Sequence, residues 1–138
     1  MKVRYLGHST FEVTINDTVV LIDPFITGNE MAKNIDIDQL NPDIILVTHG
    51  HQDHVLDVES IARRSGAQVI SNFEISNWFQ EKGLENIYPL NHGGGVDRPF
   101  GRIDYVNAIH TSGLPDGSYG GQPGGFIVSA GDETFYYS

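Results

Sequence analysis

The chain has 138 residues and a formal net charge of −10, from 18 acidic and 8 basic residues, and it contains no cysteine. This length suits one domain with a hydrophobic core, and a hydrophobic content of 39% is too high for a disordered chain. The lack of cysteine excludes disulfides and thiolate metal sites, and it leaves histidine and carboxylate as the strong metal ligands. An acidic surface repels phosphate backbones and anionic membranes, so binding to nucleic acid or to a membrane is disfavoured.

The amino terminus has neither the apolar core nor the cleavage pattern of a signal peptide. No apolar segment approaches the ~20 residues that span a bilayer. A chain without cysteine also suits a reducing compartment. The sequence therefore predicts a cytoplasmic protein with no membrane association.

The first third of the chain predicts β-structure. Residues 2–7 form a short strand, and residues 11–15 alternate apolar and polar side chains as a half-buried strand does. A tight turn at residues 16–17 precedes residues 18–23, which return as a more apolar strand. This pattern predicts a β-hairpin.

A long connection over residues 25–42 leads to residues 43–49, an apolar β-branched run that predicts a central strand buried on both faces. Residues 54–66 show helical spacing and a glycine stop, and residues 73–83 predict a second helix. Each of these helices is followed by a short predicted strand, at residues 67–71 and at residues 86–90. The alternation of strand and helix predicts a layered α/β architecture.

The last third is rich in glycine and turn residues. Residues 102–110 predict a strand, and residues 126–138 predict a hairpin that turns at Gly131 and Asp132. Between them lies a loop over residues 111–125, and loops of about 15 residues are usually functional or disordered. The chain shows no repeat and no interdomain linker, so a single domain is predicted.

A dense group of metal-capable side chains follows the predicted central strand, in the pattern H-x-H-x-D-H. His49 and His51 are two residues apart, so in an extended segment they point to the same side and can converge on one ion. Asp53 and His54 begin the following helix and are placed to reach a second ion. Gly50 permits backbone conformations that a Cβ would forbid. This density favours a metal site over a chance cluster, or over a structural zinc site closed by Cys or His.

The motif THGHQDH resembles the signature of the metallo-β-lactamase-fold superfamily. GHST at residues 7–10, LIDPF at residues 21–25 and HGGG at residues 92–95 resemble its branch of uncharacterised metal-dependent hydrolases, which is similar to the L-ascorbate-6-phosphate lactonases. The resemblance covers residues 2–138. It implies an α/β fold, the αββα sandwich, with a mixed sheet, helices on the outer face and the metal ions at one edge.

The resemblance also implies roles for individual residues. His49, His51 and His110 would bind the first ion, and Asp53 and His54 would bind the second. Asp53 would also be catalytic, by orienting the attacking water and passing its proton onward. His110 fits independently, because it ends a predicted strand and opens the glycine-rich loop.

Three further residues have two interpretations each. Asp23 supports a metal ligand in the family, but from the sequence a turn-capping aspartate is as good an interpretation. His8 and His92 are either at the rim of the cleft or polar residues near turns. The expected cofactor is one or two Zn²⁺ ions, with Mn²⁺ as the alternative because a carboxylate-rich site suits harder ions.

The chain matches only part of the family pattern, which continues with an aspartate that bridges both ions and a histidine near the C-terminus. Asp132 precedes the last predicted strand, whereas the bridging aspartate follows that strand, so Asp132 is not assigned to the bridge. Residues 1–138 are therefore expected to form the N-terminal half or more of an incomplete domain. The missing part would be a separate polypeptide, a cleaved fragment or the rest of a truncated chain. The protein is also expected to form an oligomer.

The reaction implied is metal-assisted hydrolysis of a small ester, lactone or phosphoester, since a dication lowers the pKa of bound water from ~15.7 towards ~7. A phosphodiesterase or nuclease of the same superfamily is the alternative, and the acidic charge counts against it. A third hypothesis is a non-catalytic half-domain that needs a partner chain. The loop at residues 111–125 is a candidate lid or substrate loop.

Overall fold

Ten strands and three helices make up the computed structural model, which describes all 138 residues. The strands are β1 (Lys2–Gly7), β2 (Thr10–Ile15), β3 (Thr18–Ile22), β4 (Ile44–Leu46), β5 (Gln68–Asn72), β6 (Ile87–Leu90), β7 (Gly95–Arg98), β8 (Gly101–Asn107), β9 (Gly124–Ala130) and β10 (Glu133–Tyr137). The helices are α1 (Gln52–Val55), α2 (Val58–Ser65) and α3 (Phe73–Glu81). The long connection before β4 contains two 3-10 turns, Glu30–Ala32 and Ile37–Gln39.

The strands form two sheets. One has six strands in the order β1-β2-β3-β4-β5-β6, and the other has four in the order β10-β9-β8-β7. The β1–β2 and β2–β3 pairs are antiparallel, whereas β3 to β6 are parallel. The four-stranded sheet is antiparallel throughout. The predicted α/β class with a mixed sheet is confirmed.

The core has two parts, one on each face of the six-stranded sheet. Ile45 packs with residues of the helices, such as Ile61 and Phe79. Its neighbours Ile44 and Leu46 face the four-stranded sheet. Strand β4 is therefore buried on both faces, as its unbroken apolar sequence predicts.

The helices lie on the outer face of the six-stranded sheet only. The molecule thus has three layers, namely helices, six-stranded sheet and four-stranded sheet. These are three of the four layers of an αββα sandwich. None of the helices has the length and hydropathy needed to cross a bilayer.

The helix predicted over residues 54–66 is two helices, α1 and α2, separated at Asp57. The Asp57 carboxylate accepts hydrogen bonds from the backbone N–H groups of Ile26, at 2.6 Å, and Thr27, at 2.9 Å. Its own N–H donates to the carbonyl of Pro24. These contacts draw the chain towards the segment after β3. Helical periodicity cannot show them because the partners lie about 30 residues earlier.

Both strands that lead to the histidines are shorter than predicted. Strand β4 ends at Leu46 and β8 ends at Asn107, so His49 and His110 lie in irregular segments. After β4, the backbone N–H of Thr48 donates a hydrogen bond to the Asp23 side chain and not to a neighbouring strand. Strand β7 was not predicted, because its glycine-rich sequence has no apolar alternation.

Candidate metal centre

The predicted metal ligands meet at one edge of the sandwich, beyond the carboxyl ends of β3, β4 and β8. Asp23 follows β3, residues 49–54 follow β4, and His110 follows β8. A cavity of about 680 Å³ opens there, and its walls include His49, His54 and His110. Since β3 and β4 are parallel neighbours, the sheet itself delivers their following residues to the same place.

The first group consists of His49, His51 and His110, whose ligand atoms all lie within 4.8 Å of one another. His49 Nε2 is 3.1 Å from His51 Nδ1. The His110 ring centroid lies 4.6 Å from that of His49 and 5.0 Å from that of His51. Ligand nitrogens around one tetrahedral zinc ion are about 3.3 Å apart, so the spacing fits a single ion.

Neighbouring hydroxyls determine which ring nitrogens are free in this group. Thr48 Oγ1 donates its only proton to Asp23 Oδ2 at 2.6 Å, so it accepts the proton of His49 Nδ1 at 2.9 Å. That leaves the lone pair of His49 Nε2 directed at the group. The other side of the His51 ring is held by Thr111, whose Oγ1 lies 3.2 Å from His51 Nε2. The ring atoms that face each other in this group are thus Nε2 of His49 and Nδ1 of His51.

His49 is neutral at physiological pH. Burial, together with the nearby His54, His51 and His110 rings, lowers its pKa from 6.5 to about 3. A histidine must be unprotonated to bind a metal, so this environment suits a ligand. Three imidazoles whose ligand atoms lie within 4.8 Å of one another fit a metal ion.

The second group consists of His8, Asp53 and His54, again with ligand atoms within 4.8 Å. His8 Nε2 is 2.9 Å from Asp53 Oδ2. Burial alone would raise the pKa of the Asp53 carboxyl, but His54, a backbone hydrogen bond and His8 together hold it below its ordinary value. Asp53 is therefore an anion at neutral pH, which suits a cation site.

Asp23 connects the two groups. It is fully buried and accepts three short hydrogen bonds: from Thr48 N at 2.8 Å, from Thr48 Oγ1 at 2.6 Å and from His54 Nδ1 at 2.8 Å. It therefore orients His54 directly and His49 through Thr48. Of the two interpretations of Asp23, the structure supports contact with a predicted ligand. Thr48 lies inside the recognised motif, but sequence reasoning assigned it no role.

His110 reaches the group through contacts made by the residues that follow it. Ser112 Oγ accepts a hydrogen bond from Gly50 N at 3.0 Å and donates to the carbonyl of Gly120 at 2.8 Å. A Cβ at Gly50 would lie 3.0 Å from Leu114 Cδ2, and Gly50 does not have a positive φ. Close packing therefore explains this glycine, and the predicted conformational reason was wrong. No sequence signal pointed to Ser112.

Two other candidates lie outside both groups. The His92 ring stacks on Tyr105, with centroids 4.9 Å apart, and its Nε2 is 3.0 Å from the carbonyl of Pro123. Asp132 occupies the turn between β9 and β10, as expected. The loop predicted over residues 111–125 runs from residue 108 to 123 and carries the Ser112 and Leu114 contacts just described.

The family model described as "Metallo-beta-lactamase superfamily" matches residues 3–138 of this chain. The chain belongs to this superfamily. A "UPF0173 metal-dependent hydrolase" of Christiangramia forsetii is 54% identical over 137 residues, and one of Flavobacterium johnsoniae is 47% identical over 136. Each match covers 99% of this chain and 60% of the relative, so the chain spans about 60% of the length of these relatives.

A solved structure shows the same architecture. Igni18, described as a metallo hydrolase from the archaeon Ignicoccus hospitalis, is 29% identical and superposes with a TM-score of 0.81. The match covers 99% of this chain and 59% of that one. The fold and the superfamily expected from the sequence are confirmed.

Proposed function

We propose that this protein is a metal-dependent hydrolase that cleaves a small ester, lactone or phosphoester. The observation that supports the proposal is the convergence of His49 and His51 with His110, a residue from a distant part of the chain: their ligand atoms lie within 4.8 Å of one another. The names of the relatives, metal-dependent hydrolase and metallo hydrolase, support the same activity. When bound, the ion supplies Lewis acidity, which lowers the pKa of water and polarises the scissile bond.

The residues of the chain prepare the site for this reaction. His49 and His54 are locked in one tautomer by the hydrogen bonds that end at Asp23. Asp53 is ionised, and its side chain is 45% exposed, so its carboxylate can orient a water molecule and accept its proton. The cavity beside His49, His54 and His110 has room for a small substrate.

The donor types support zinc, in one or two ions, because imidazole dominates the first group. Manganese is the alternative for the second group, which contains the Asp53 carboxylate. The acidic balance of the chain is unfavourable to a phosphodiesterase or nuclease acting on a polyanion. Cytoplasmic location remains the prediction made from the sequence.

We further propose that a complementary C-terminal segment, in this chain or another, completes the domain and the cavity, and that the protein works as an oligomer. The relatives are longer than these 138 residues. The outer face of the four-stranded sheet carries no helix. Tyr136, Tyr137 and Ser138 line the cavity, so residues that follow them would lie beside the metal centre.

The proposal is tested by elemental analysis and intact mass of the purified protein with any co-purifying chain, followed by hydrolysis assays on lactones, esters and phosphoesters. We expect bound zinc or manganese, and loss of the tightest ion and of turnover in His110→Ala. His92→Asn, which changes a histidine outside both groups, should retain both properties.

Other outcomes would decide against the proposal. Failure to bind any ion after zinc loading, or unchanged metal binding in His110→Ala, would contradict it. Turnover of a dinucleotide or RNA alone would favour the phosphodiesterase. A full metal complement without turnover, even with the complementary segment present, would favour the non-catalytic half-domain.

A further inference from the structure

We propose that Tyr137, at the end of β10, is a positioning residue of the metal centre: its hydroxyl holds the Asp23 carboxylate and, through it, the His54 ring. The inference deepens the proposed function and rests on it, because it assumes that His54 binds an ion. It gives a part in the site to a residue of the four-stranded sheet that no sequence motif singles out.

The Tyr137 hydroxyl contacts two segments that belong to the six-stranded sheet. Its oxygen lies 2.7 Å from the carbonyl oxygen of Ser9, in the turn between β1 and β2, and 3.2 Å from Asp23 Oδ2, directly after β3. Both neighbours are acceptors, so the single phenolic proton forms a three-centre hydrogen bond with them. This is the only hydrogen bond that Asp23 receives from the four-stranded sheet.

The same carboxylate oxygen accepts from three side chains. Asp23 Oδ2 lies 2.6 Å from Thr48 Oγ1 and 2.8 Å from His54 Nδ1, besides its contact with the Tyr137 hydroxyl. Each donor withdraws charge from that oxygen and so weakens the bonds from the others. The strength of the His54 hydrogen bond, and hence the basicity of the opposite ring nitrogen of His54, therefore depends on Tyr137.

The Tyr137 ring is fixed by aromatic packing between the two sheets. Its centroid lies 5.8 Å from that of Phe11 on β2, with an interplanar angle of 69°. It lies 6.5 Å from that of Phe135, two residues earlier on β10, with an angle of 20°. Phe11 also contacts Phe135, at 6.2 Å. The phenol is thus held in one orientation before any ion binds, and a side chain with two torsions loses little entropy in this way.

The backbone of Asp23 needs support from its surroundings. Its φ of 45° lies in the left-handed region, which is uncommon for residues other than glycine. Such a conformation persists where several contacts determine it together. Thr10 Oγ1 donates to the Asp23 carbonyl at 2.8 Å, and the Asp23 N–H donates to the carbonyl of Leu46 at 3.0 Å. Tyr137 adds a contact from the second sheet at the end of the side chain.

Tyr137 acts as a hydrogen-bond donor at neutral pH. Burial, and then the charge of Asp23, raise the pKa of its phenol above the ordinary value. The proton therefore stays on the phenolic oxygen. The hydroxyl thus stabilises the negative charge of Asp23, as the donors Thr48 and His54 do.

The test is NMR of the ring N–H proton of His54, before and after zinc loading, in the purified protein with any co-purifying chain. The resonance is identified by its loss in His54→Gln. Tyr137→Phe keeps the ring that packs on Phe11 and removes only the hydroxyl. Because Asp23 Oδ2 then has one donor fewer, we expect the His54 proton to move downfield, and zinc to bind about tenfold more weakly. A contact that serves packing alone would leave the resonance in place.

Tyr88→Phe is the matched control, because Tyr88 is exposed on β6 and packs beside Arg98. It should leave the His54 resonance and the zinc affinity unchanged. If Tyr137→Phe does not fold, 3-fluorotyrosine incorporated into the wild type makes the phenol a stronger donor, and the His54 proton should then move upfield.

The remaining outcomes decide against the inference. An unmoved His54 resonance in either experiment, or a moved resonance with unchanged zinc affinity, overturns the role of Tyr137 at the metal centre and leaves the hydrolase proposal standing. Failure of the wild type to bind any ion after zinc loading overturns both.

Discussion

The two segments that bring histidines to the metal centre are positioned in different ways. Residues 49–54 form a short junction, which comprises the end of the connection from β4 and the first residues of α1, and the buried Asp23 and Thr48 support it. The loop at residues 108–123 carries His110, which is exposed, and Ile109, which is 99% exposed. Its anchors come later in the loop, where it contacts Gly50, Asn72 and Trp78.

This contrast predicts different responses to substitution. The junction depends on one fully buried carboxylate, so a single change there should disturb stability and both ligand groups together. The loop is held by several separate contacts, so each change should weaken it by a smaller amount. Substitutions in the loop should also affect the first group selectively, because His110 belongs to that group only.

The largest effect is expected for Asp23→Asn. The amide cannot accept at both of its ends, so a buried donor from Thr48 or His54 loses its partner. We expect the free energy of unfolding to fall by about 3 kcal/mol in chemical denaturation, and metal affinity to fall about 10–100-fold. Asp132→Asn, in an exposed turn, should change stability by less than about 0.5 kcal/mol. A similar small change in Asp23→Asn would contradict the connecting role of Asp23.

Ser112→Ala should have the next largest effect. It leaves the buried N–H of Gly50 without a partner, which costs about 1–3 kcal/mol. Affinity for the first ion should fall while affinity for the second stays constant, as measured by metal titration. Ser129→Ala removes a hydroxyl on an exposed face and serves as the control. Equal weakening of both ions would mean that the loop does not act through His110.

Gly50→Ala tests the packing between junction and loop. The new Cβ would approach two side-chain atoms of Leu114, to 3.0 and 3.1 Å, so we expect a loss of about 1 kcal/mol from overpacking. Gly50→Ala combined with Leu114→Ala should be less destabilised than the sum of the single changes, because the clash is removed. Strict additivity in thermal or chemical unfolding would show that the two residues do not compete for space.

The smallest effect concerns the contact between Trp78 and Asp116. Hydrogen bonds from the Ser118 hydroxyl and backbone N–H, and then from Trp78 Nε1, lower the pKa of Asp116 from 3.8 to about 2. Because the folded-state pKa is the lower one, the stabilisation is complete above about pH 4 and is lost as the pH falls towards 2. Fluorescence of the single tryptophan should report this transition. The transition should be absent in Asp116→Asn, and its persistence there would assign it to another group.

Local patterns predicted the elements whose own residues show a clear alternation, apolar run or helical period. The alternation in residues 11–15, the apolar run of β4 and the helix at Phe73–Glu81 all appear in the structure. The break at Asp57 and the strand Gly95–Arg98 were not predicted. Asp57 bonds to the chain about 30 residues earlier, and Gly95–Arg98 is defined by pairing with β8 and not by its own residue pattern.

For the site, the letters H-x-H-x-D-H were enough to predict residues 49–54 as metal-capable, because a strand-to-helix junction places neighbouring residues by local geometry. Tertiary structure decided which distant residues join them. His8 comes from another turn, Asp23 lies 31 residues before His54, and Ser112 lies 62 residues after Gly50. Strand pairing within the six-stranded sheet brings Asp23 and His8 to residues 49–54, whereas packing of the second sheet brings Ser112 and His110. No periodicity in the sequence encodes either approach.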